Sequence, residues 1–350
     1  MAAPMKTKTI IKILFLVLFL FGCSEQYSNE VGADKPPESA APMVAEEIQS
    51  LSIASFNIQF LGHFKKRNNE ALASLLKDHD IVVVQELVAP PTDGTYPDAE
   101  PYTADAEASA FFEAMKAHGF EYMLSEEDTG TNDEIHKSTS STEWWVSFYK
   151  PEKVNVATDL PHGYLADDRS NHDDYERVPY AFPFRSKTGQ SDFVFISVHL
   201  QPGDSSSDQN RRKQELGAIA SWVDANDEVE KDFIILGDMN IKDAAELSDA
   251  TPSGFLSLND ELRRTNTLIN STPTQGAKPY DHIMYNVANT QGEIDIEFDM
   301  NVIDLIEAMR SSWTSSDPYP GDPYDHNLFK QYYSDHHPVE FKMIVSQDDD

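Results

Sequence analysis

The residues with the clearest chemical potential follow a short apolar stretch near the middle of the chain. Residues 233–236 are four apolar residues in a row, which predicts a β-strand buried on both faces. The strand stops at Gly237, and Asp238 and Asn240 follow two positions apart, so on an extended chain both side chains point to the same side. Because Gly, Asp and Asn also favour turns, this stretch alone is equally consistent with a simple strand-to-loop turn.

The same pattern, an apolar strand that ends in polar side chains, recurs along the chain. The polar residues at these other strand ends are Asn57, Glu86, His199, Asp281 and the adjacent pair Asp335 and His336. Carboxylate and amide oxygens can hold a hard cation, and histidine can transfer protons near neutral pH. Such a set of residues at the ends of several strands indicates that the side chains converge on one shared site.

The order of these motifs resembles that of a known enzyme family. From about Leu51 to Val345 the chain is similar to the endonuclease/exonuclease/phosphatase superfamily, and within it to the DNase I-like enzymes. The Gly-Asp-x-Asn motif at 237–240 and the Asp-His pair at 335–336 match motifs of that family. The resemblance implies a four-layer α/β sandwich, in which two packed, mainly antiparallel sheets are flanked by helices. The predicted strands alternate irregularly with few helices, which also favours two packed sheets.

The resemblance implies a reaction and a metal site. Hydrolysis of a phosphodiester needs a deprotonated water, stabilisation of the charge on the phosphorane, and help for the leaving oxygen. In the family pattern Glu86 and Asp335 bind the metal, and Asn57 helps to position the metal or the phosphate. These ligands are oxygens and not thiolates, so the expected ion is Mg²⁺, with Mn²⁺ and Ca²⁺ as alternatives. Without the resemblance, Glu86 would be explained as a solubilising charge at a strand end.

The resemblance also pairs each of two histidines with a carboxylate, His199 with Glu143 and His336 with Asp281. The carboxylate would fix the tautomer of the ring and stabilise its positive charge. One histidine would act as the general base and the other as the general acid, and the sequence leaves open which has which role. Without the family pattern, a histidine in an apolar strand is more often a satisfied core residue.

Three further residues complete the site that the resemblance implies. Asp238 and Asn240 would orient the attacking water and bind a non-bridging phosphate oxygen. Arg177 would bind the substrate phosphate, because a guanidinium can contact two phosphate oxygens at once. The alternative for Arg177 is an ordinary exposed loop arginine.

The expected substrate is DNA, with RNA as a second nucleic acid, because residues 199–204 and 280–283 resemble segments of DNase I. The superfamily also includes sphingomyelinases and inositol phosphatases, so a hydrolase of lipid or sugar phosphates is one alternative. A lipid enzyme should expose an apolar or aromatic hairpin, and the region at 313–324 is the best candidate for one. A non-catalytic surface protein with the same fold is the other alternative, although every catalytic position of the family is filled.

Composition constrains the domain organisation and the partners. The chain has 350 residues and a formal net charge of −33, which argues against general coating of nucleic acid. It does not exclude an enzyme that meets a polyanion locally through metal ions and a few arginines. Apolar strands are spread along the chain without a linker, so we predict one domain at residues 51–346 and expect a monomer. Cys23 is the only cysteine, so an internal disulfide, common in DNase I-like enzymes, cannot form.

The N-terminal segment predicts export. Three lysines precede an apolar run at 13–21, and Gly22 and Cys23 follow, as in a secretory signal peptide. The end of the run resembles a bacterial lipobox, which implies that residues 1–22 are removed and that Cys23 carries a lipid. Residues 23–50, rich in Pro, Ala, Ser and Glu, would form a flexible tether. We therefore expect a protein held in a bacterial cell envelope, at the outer membrane, through its lipid alone. An uncleaved anchor or a plain secretory signal would also export it.

Overall fold

Two mixed β-sheets form the centre of the computed structural model, which describes residues 49–130, 142–168, 172–188, 191–269 and 276–345. The predicted signal peptide, Cys23 and nearly all of the predicted tether lie outside these residues. Within them, no helix combines the length and the apolar character that are needed to cross a bilayer. The described part corresponds to the predicted domain at 51–346, whose boundaries remain a prediction.

The strands divide into two sheets and a separate hairpin. In chain order the described strands are β1 (Ser50–Leu61), β2 (Ile81–Leu87), β3 (Gly94–Thr95), β4 (Pro101–Tyr102), β5 (Glu121–Leu124), β6 (Trp144–Tyr149), β7 (Val154–Val156), β8 (Gly163–Tyr164), β9 (Tyr180–Ser186), β10 (Asp192–His199), β11 (Phe233–Asp238), β12 (Phe255–Ser257), β13 (Asp281–Asn286), β14 (Asn301–Val302) and β15 (Val339–Ile344). The first sheet has the order β14-β15-β1-β2-β6-β5, and the second has the order β12-β13-β11-β10-β9-β7, with β8 beside β9. Strands β3 and β4 form the hairpin. In the described sheets β1 pairs in parallel with β2 and β10 with β11, while the other pairs are antiparallel.

Helices cover the outer faces of both sheets. The described helices are α1 (Asn69–Leu76), α2 (Ala106–Ala117), α3 (Ser206–Asn226), α4 (Ala244–Ala250), α5 (Val287–Thr290), α6 (Leu305–Ala308) and α7 (His326–Tyr332), with a 3₁₀ helix at Met309–Ser312. Leu72 of α1 belongs to the same buried cluster as Phe56 of the first sheet, and Leu216 of α3 to the same cluster as Ile235 of the second. A third cluster, which includes Phe195, lies between the sheets. This arrangement confirms the predicted four-layer α/β sandwich.

Several local elements differ from the sequence prediction. The sequence predicts irregular structure at 244–275 and proline-rich loops at 318–329 and 90–105, yet these segments contain α4 and β12, the start of α7, and the β3–β4 hairpin, respectively. Conversely, the sequence predicts a strand over residues 294–303, but within them the structure has only the short β14. Elements of this length are too short for hydrophobic periodicity to reveal. Local hydrogen bonds fix them instead; the Asp243 side chain, for example, accepts bonds from two backbone N–H groups at the start of α4.

Gly237 permits close contact between β10 and β11 near the end of both strands. Its φ of +138° lies where side chains are rarely tolerated, and an added Cβ would lie 2.1 Å from the carbonyl oxygen of Val198. We expect Gly237→Ala to lower the free energy of unfolding by at least 2 kcal/mol or so, because such backbone strain costs roughly 1–3 kcal/mol before the clash is added. Urea unfolding of the purified variant measures this loss.

A matched control for this prediction is Gly217, inside α3. Among the described residues, a Cβ added at Gly217 meets no neighbouring atom within 4 Å. Gly217→Ala should therefore be neutral or stabilising by up to about 1 kcal/mol, because alanine favours a helix more than glycine does. Equal unfolding midpoints for wild type and Gly237→Ala would contradict the proposed clash.

Candidate active site

Three neighbouring strands of the second sheet bring His199, Asp238 and Asp281 side by side. His199 is the register partner of Asp238 in the parallel pair of β10 and β11. Asp238 is in turn the partner of Asp281 in the antiparallel pair of β11 and β13. All three residues are buried. The register of the three strands therefore places these residues in one row across the sheet.

The Asn57 side chain joins this row to the first sheet. Its Nδ2 donates to Oε1 of Glu86 at 2.9 Å and to Oδ2 of Asp238 at 3.0 Å. Asn57 is fully buried, and its Oδ1 accepts the backbone N–H of Gln59 at 3.0 Å. Because the amide contacts one residue from each sheet, Asn57 sets the separation of Glu86 and Asp238. Its contact with a metal or a phosphate remains a prediction.

Glu143 and Asp238 face the two ring nitrogens of His199. Nδ1 lies 2.6 Å from Oε1 of Glu143, and Nε2 lies 3.7 Å from Oδ2 of Asp238. Burial and the positive charge of Arg177 oppose protonation of the ring, but the Glu143 carboxylate outweighs them and raises the pKa of His199. Since Glu143 accepts a proton donated from Nδ1, the nitrogen that faces Asp238 is the one available for proton transfer.

His336 repeats this arrangement on the other side of Asp238. Its Nδ1 lies 2.8 Å from Oδ2 of Asp281, and its Nε2 lies 3.5 Å from the same Asp238 oxygen that His199 approaches. Burial again opposes protonation, but the Asp281 and Asp238 carboxylates raise the pKa of His336 well above its ordinary value. Two histidines, each supported by its own carboxylate, thus face one oxygen of Asp238.

The carboxylates of Glu86 and Asp335 have the character of a cation site. Burial, together with the nearby Asp335 carboxylate, raises the pKa of Glu86 to about 7. Oδ1 of Asp335 and Oε1 of Gln59 are buried and have no hydrogen-bond donor within the described ranges. One ligand atom each of Glu86, His199 and Asp238 also lie within 4.8 Å of one another. Crowded carboxylates and unsatisfied oxygens fit a divalent cation.

Arg177 and Asn240 make contacts that differ from the predicted ones. Arg177 is buried, and its Nε lies 2.8 Å from Oε1 of Glu143. The backbone N–H of Asn240 donates to Oδ1 of Asp238 at 2.9 Å, while its side-chain Nδ2 donates to a backbone carbonyl just after β10 at 3.1 Å. Both residues therefore hold other site residues in place. Their contacts with the substrate phosphate remain predictions.

Two residues that the sequence analysis did not single out also lie in the site. Gln59 Nε2 donates to Oδ2 of Asp335. Ser334 Oγ donates to the carbonyl of Asn57 at 2.7 Å and accepts the backbone N–H of His336 at 3.0 Å. Gln59 carried a signal, since it follows Asn57 by two residues along the same strand. Ser334 carried none, because a serine before an aspartate is typical of any turn.

Solved structures of three proteins are similar in fold. An endonuclease/exonuclease/phosphatase family protein from Bacteroides thetaiotaomicron aligns with a TM-score of 0.54 and 16% identity, covering 86% of this chain and 100% of the other. A mannosyl-6-phosphatase from the same species aligns with a TM-score of 0.52 and 17% identity, covering 84% of this chain and 99% of the other. A humanised TDP2 from D. rerio aligns with a TM-score of 0.51 and 15% identity, covering 84% of this chain and 98% of the other. At these identities the similarity concerns the fold alone.

A family model identifies the chain more specifically. No curated protein matches it in sequence. The model of the Endonuclease/Exonuclease/phosphatase family, however, matches residues 54–336. That span includes the whole site described above, from Asn57 to His336. The chain therefore belongs to this family and is a hydrolase that acts on phosphate ester bonds.

Proposed function

We propose that the protein is a metal-dependent phosphodiesterase, a DNase I-like endonuclease that hydrolyses DNA, with RNA as a second substrate. The observation that carries the proposal is the geometry around Asp238. The Nε2 atoms of two buried histidines, His199 and His336, lie 3.7 Å and 3.5 Å from the same carboxylate oxygen. Two proton-transfer groups around one point suit a displacement at phosphorus, in which one oxygen attacks while another leaves.

In this mechanism each histidine transfers one proton at its Nε2 atom. The general base accepts a proton from the attacking water, and the general acid donates one to the leaving oxygen of the diester. Glu143 and Asp281 hold the Nδ1 side of the rings and stabilise the imidazolium form. Asp238 orients the water, and the backbone N–H of Asn240 holds Asp238 through its 2.9 Å bond. The two pairs have similar geometry, so both assignments of base and acid are retained.

Glu86 and Asp335, with Asn57 beside them, would hold the divalent cation on which enzymes of this family typically depend. We propose Mg²⁺, and Mn²⁺ or Ca²⁺ would suit the same oxygens. When bound, the cation supplies Lewis acidity that offsets negative charge on the phosphoryl group. The residues alone would repel a phosphate, because Glu86, Asp238 and Asp335 place like charges in its path.

The loop after β1 supports a nucleic-acid substrate. The Lys65 side chain is 76% exposed, and the ammonium of Lys66 lies 5.7 Å from the centre of an aromatic ring. In the same segment the ring centres of Phe60 and Phe64 lie 6.0 Å apart, and the backbone N–H of Phe60 donates to Glu86. Cations interleaved with aromatic rings can bind the phosphates and the bases of a nucleotide strand. An isolated small phosphate would use only part of this surface.

A substrate panel tests the proposed function. The purified protein is incubated with Mg²⁺ and with plasmid DNA, RNA, sphingomyelin, an inositol phosphate or mannose 6-phosphate. We expect the highest kcat/KM on DNA and no hydrolysis once EDTA removes the cation. Hydrolysis of a lipid or sugar phosphate with DNA left intact would replace the nuclease proposal by its alternative. Inactivity on all five substrates would favour a non-catalytic surface protein.

The Asp281→Asn variant should shift the pH dependence of His336 to lower pH. Asp281 raises the pKa of His336, so removing its charge lowers that pKa. If His336 is the general acid, the basic limb of the kcat/KM profile moves to lower pH. If it is the general base, the acidic limb moves to lower pH. Either limb should move by about one pH unit, the lower end of what an adjacent opposite charge contributes. An unchanged profile would show that this carboxylate does not support the catalytic ring.

We further propose that the protein is exported and held at the bacterial outer membrane by a lipid on Cys23. The support is the sequence pattern, with three lysines, the apolar run at 13–21 and Gly22 before the cysteine. The wild-type protein should therefore partition with membranes, and Cys23→Ser should release it or leave it unprocessed. Fractionation with Ser24→Ala as the control measures this. Native protein found wholly in the cytoplasm would refute the proposed anchor.

A further inference from the structure

Near its end, β1 is interrupted by an unusual backbone turn beside the site, where the pairing of β1 with β2 shifts register. Gln59 and Phe60 are consecutive residues other than glycine, and their φ angles are +54° and +50°. This left-handed conformation costs energy at each such residue and persists only where surrounding contacts enforce it. Such a turn therefore indicates that the positions of its polar groups matter.

The polar groups of this turn contact all three proposed metal-site residues. The backbone N–H of Phe60 donates to Oε2 of Glu86 at 3.0 Å, and the side chain of Gln59 donates to Oδ2 of Asp335. The backbone N–H of Gln59 also donates to Oδ1 of Asn57 at 3.0 Å. The turn thus touches two carboxylates that are distant in the sequence and would repel each other without a cation.

A buried arginine enforces the turn. The Arg67 side chain is fully buried, and its guanidinium donates to the backbone carbonyls of Ile58 and Gln59. It donates as well to the carbonyl of Tyr333, two residues before Asp335. One guanidinium therefore holds both segments that carry the proposed ligands.

Glu107 on α2 completes this arrangement. Its Oε1 accepts Nε of Arg67 at 2.6 Å, and its Oε2 accepts the backbone N–H of Gly62 just after the turn. The pairing compensates the buried charge of Arg67, which would otherwise be costly. The fork of the guanidinium is needed, because a lysine ammonium cannot reach three separated carbonyls and a carboxylate in fixed directions.

We propose that Arg67 is a positioning residue for the metal site: with Glu107 it holds the Gln59–Phe60 turn, and the turn sets the spacing of Glu86 and Asp335. Arg67 itself touches neither substrate nor metal. The inference rests on the proposed metal site, but it does not depend on DNA being the substrate.

The test measures the Kd for Mn²⁺ by calorimetry on the purified, metal-free full chain. Arg67→Lys should raise this Kd by about 10–100-fold, the usual effect of losing a group that orients metal ligands. Activity should recover at high Mn²⁺ concentration with the KM for DNA unchanged. A merely structural defect would lower the active fraction and would not respond to added metal.

Arg212→Lys is the matched control. Arg212 is also fully buried, is paired with Glu246, and donates to the backbone carbonyls of Gln201 and Gly203. Its substitution should reduce stability to a similar extent, but it contacts none of the proposed metal ligands and should leave the Kd for Mn²⁺ unchanged. A rise in Kd that is equal in both arginine variants would overturn the proposal.

Gln59→Leu tests the same link without altering a buried charged side chain. It deletes the bond to Asp335 and should also raise the Kd for Mn²⁺ by about 10–100-fold. If Arg67→Lys does not fold, the Kd of Gln59→Leu for Mn²⁺ becomes the test of the proposal. A wild-type Kd in folded Gln59→Leu overturns the proposal. Wild-type protein that binds no Mn²⁺ overturns the metal site together with this inference. Protein that shows the expected Kd changes but leaves DNA intact refutes the nuclease proposal alone.

Discussion

Replacing His199 or His336 with alanine is expected to lower the rate of DNA hydrolysis by about 10²–10⁴-fold, the range that a general acid or base typically contributes. Each Nε2 faces Asp238, and each ring has its own carboxylate partner, so neither histidine can substitute for the other. His199 is the last residue of β10 and His336 lies just before β15, so loss of either side chain should leave the fold intact. The double variant should lose much less than the product of the two single losses, because both groups act in one step.

The measurement compares wild type, the two single variants and the double variant on duplex DNA and on a small phosphodiester with Mg²⁺. Matching circular dichroism spectra establish that all four proteins are folded. His118→Ala is the control, because His118 caps the C-terminal end of α2 and belongs to none of the proposed catalytic groups. It should keep wild-type turnover. Near wild-type turnover in either single variant would remove that histidine from the mechanism.

Glu86→Gln is expected to lower kcat/KM at limiting Mg²⁺ by more than the roughly 10–100-fold that is typical of residues supporting a metal ligand. The substitution keeps the shape of the side chain but removes the charge that a cation needs. Glu113→Gln, on the exposed face of α2, is the control and should retain activity. Excess Mg²⁺ should restore the activity of Glu86→Gln only in part, because the substitution changes a metal ligand itself.

The same variant should be at least as stable as wild type when no metal is present. The folded protein raises the pKa of Glu86 from 4.5 to about 7, mainly through burial. Ionised Glu86 therefore costs stability as pH rises from 4.5 through 7, and at pH 8 the neutral amide avoids this cost. Mg²⁺ should raise the Tm of wild type more than that of the variant, since a ligand stabilises the state that binds it in proportion to its affinity. Equal stabilisation of both by Mg²⁺ would move the metal site away from Glu86.

Much of the site could be predicted because strand geometry places side chains at defined points. His199, Asp238 and Asp281 occupy terminal positions of adjacent strands, and their register makes them neighbours. Alternation along a strand fixes the side to which each residue points, so residue type and spacing carried the necessary information. The same reasoning predicts Glu86 near the end of β2, where it lies, whereas β1 continues four residues past Asn57 to Leu61.

The residues that hold the site together could not be predicted in the same way. A charged residue in a sequence usually indicates an exposed surface, yet Arg67 and Arg177 are buried and bonded to groups distant in the chain. Arg177 in particular pairs with Glu143, a contact that neither spacing nor periodicity reveals. The left-handed turn at Gln59 was equally hidden, because its conformation depends on tertiary contacts and not on local preference.

The most direct test of the account is the Mg²⁺-dependent nicking of supercoiled plasmid DNA by the purified protein. Nicked circles should accumulate with time in the presence of Mg²⁺ and cease to form when EDTA is added, and the His336→Ala variant should produce almost none. This outcome would link the cation, the buried histidine and phosphodiester cleavage in one measurement. Plasmid that stays supercoiled with folded wild-type protein in Mg²⁺, Mn²⁺ and Ca²⁺ would contradict the account.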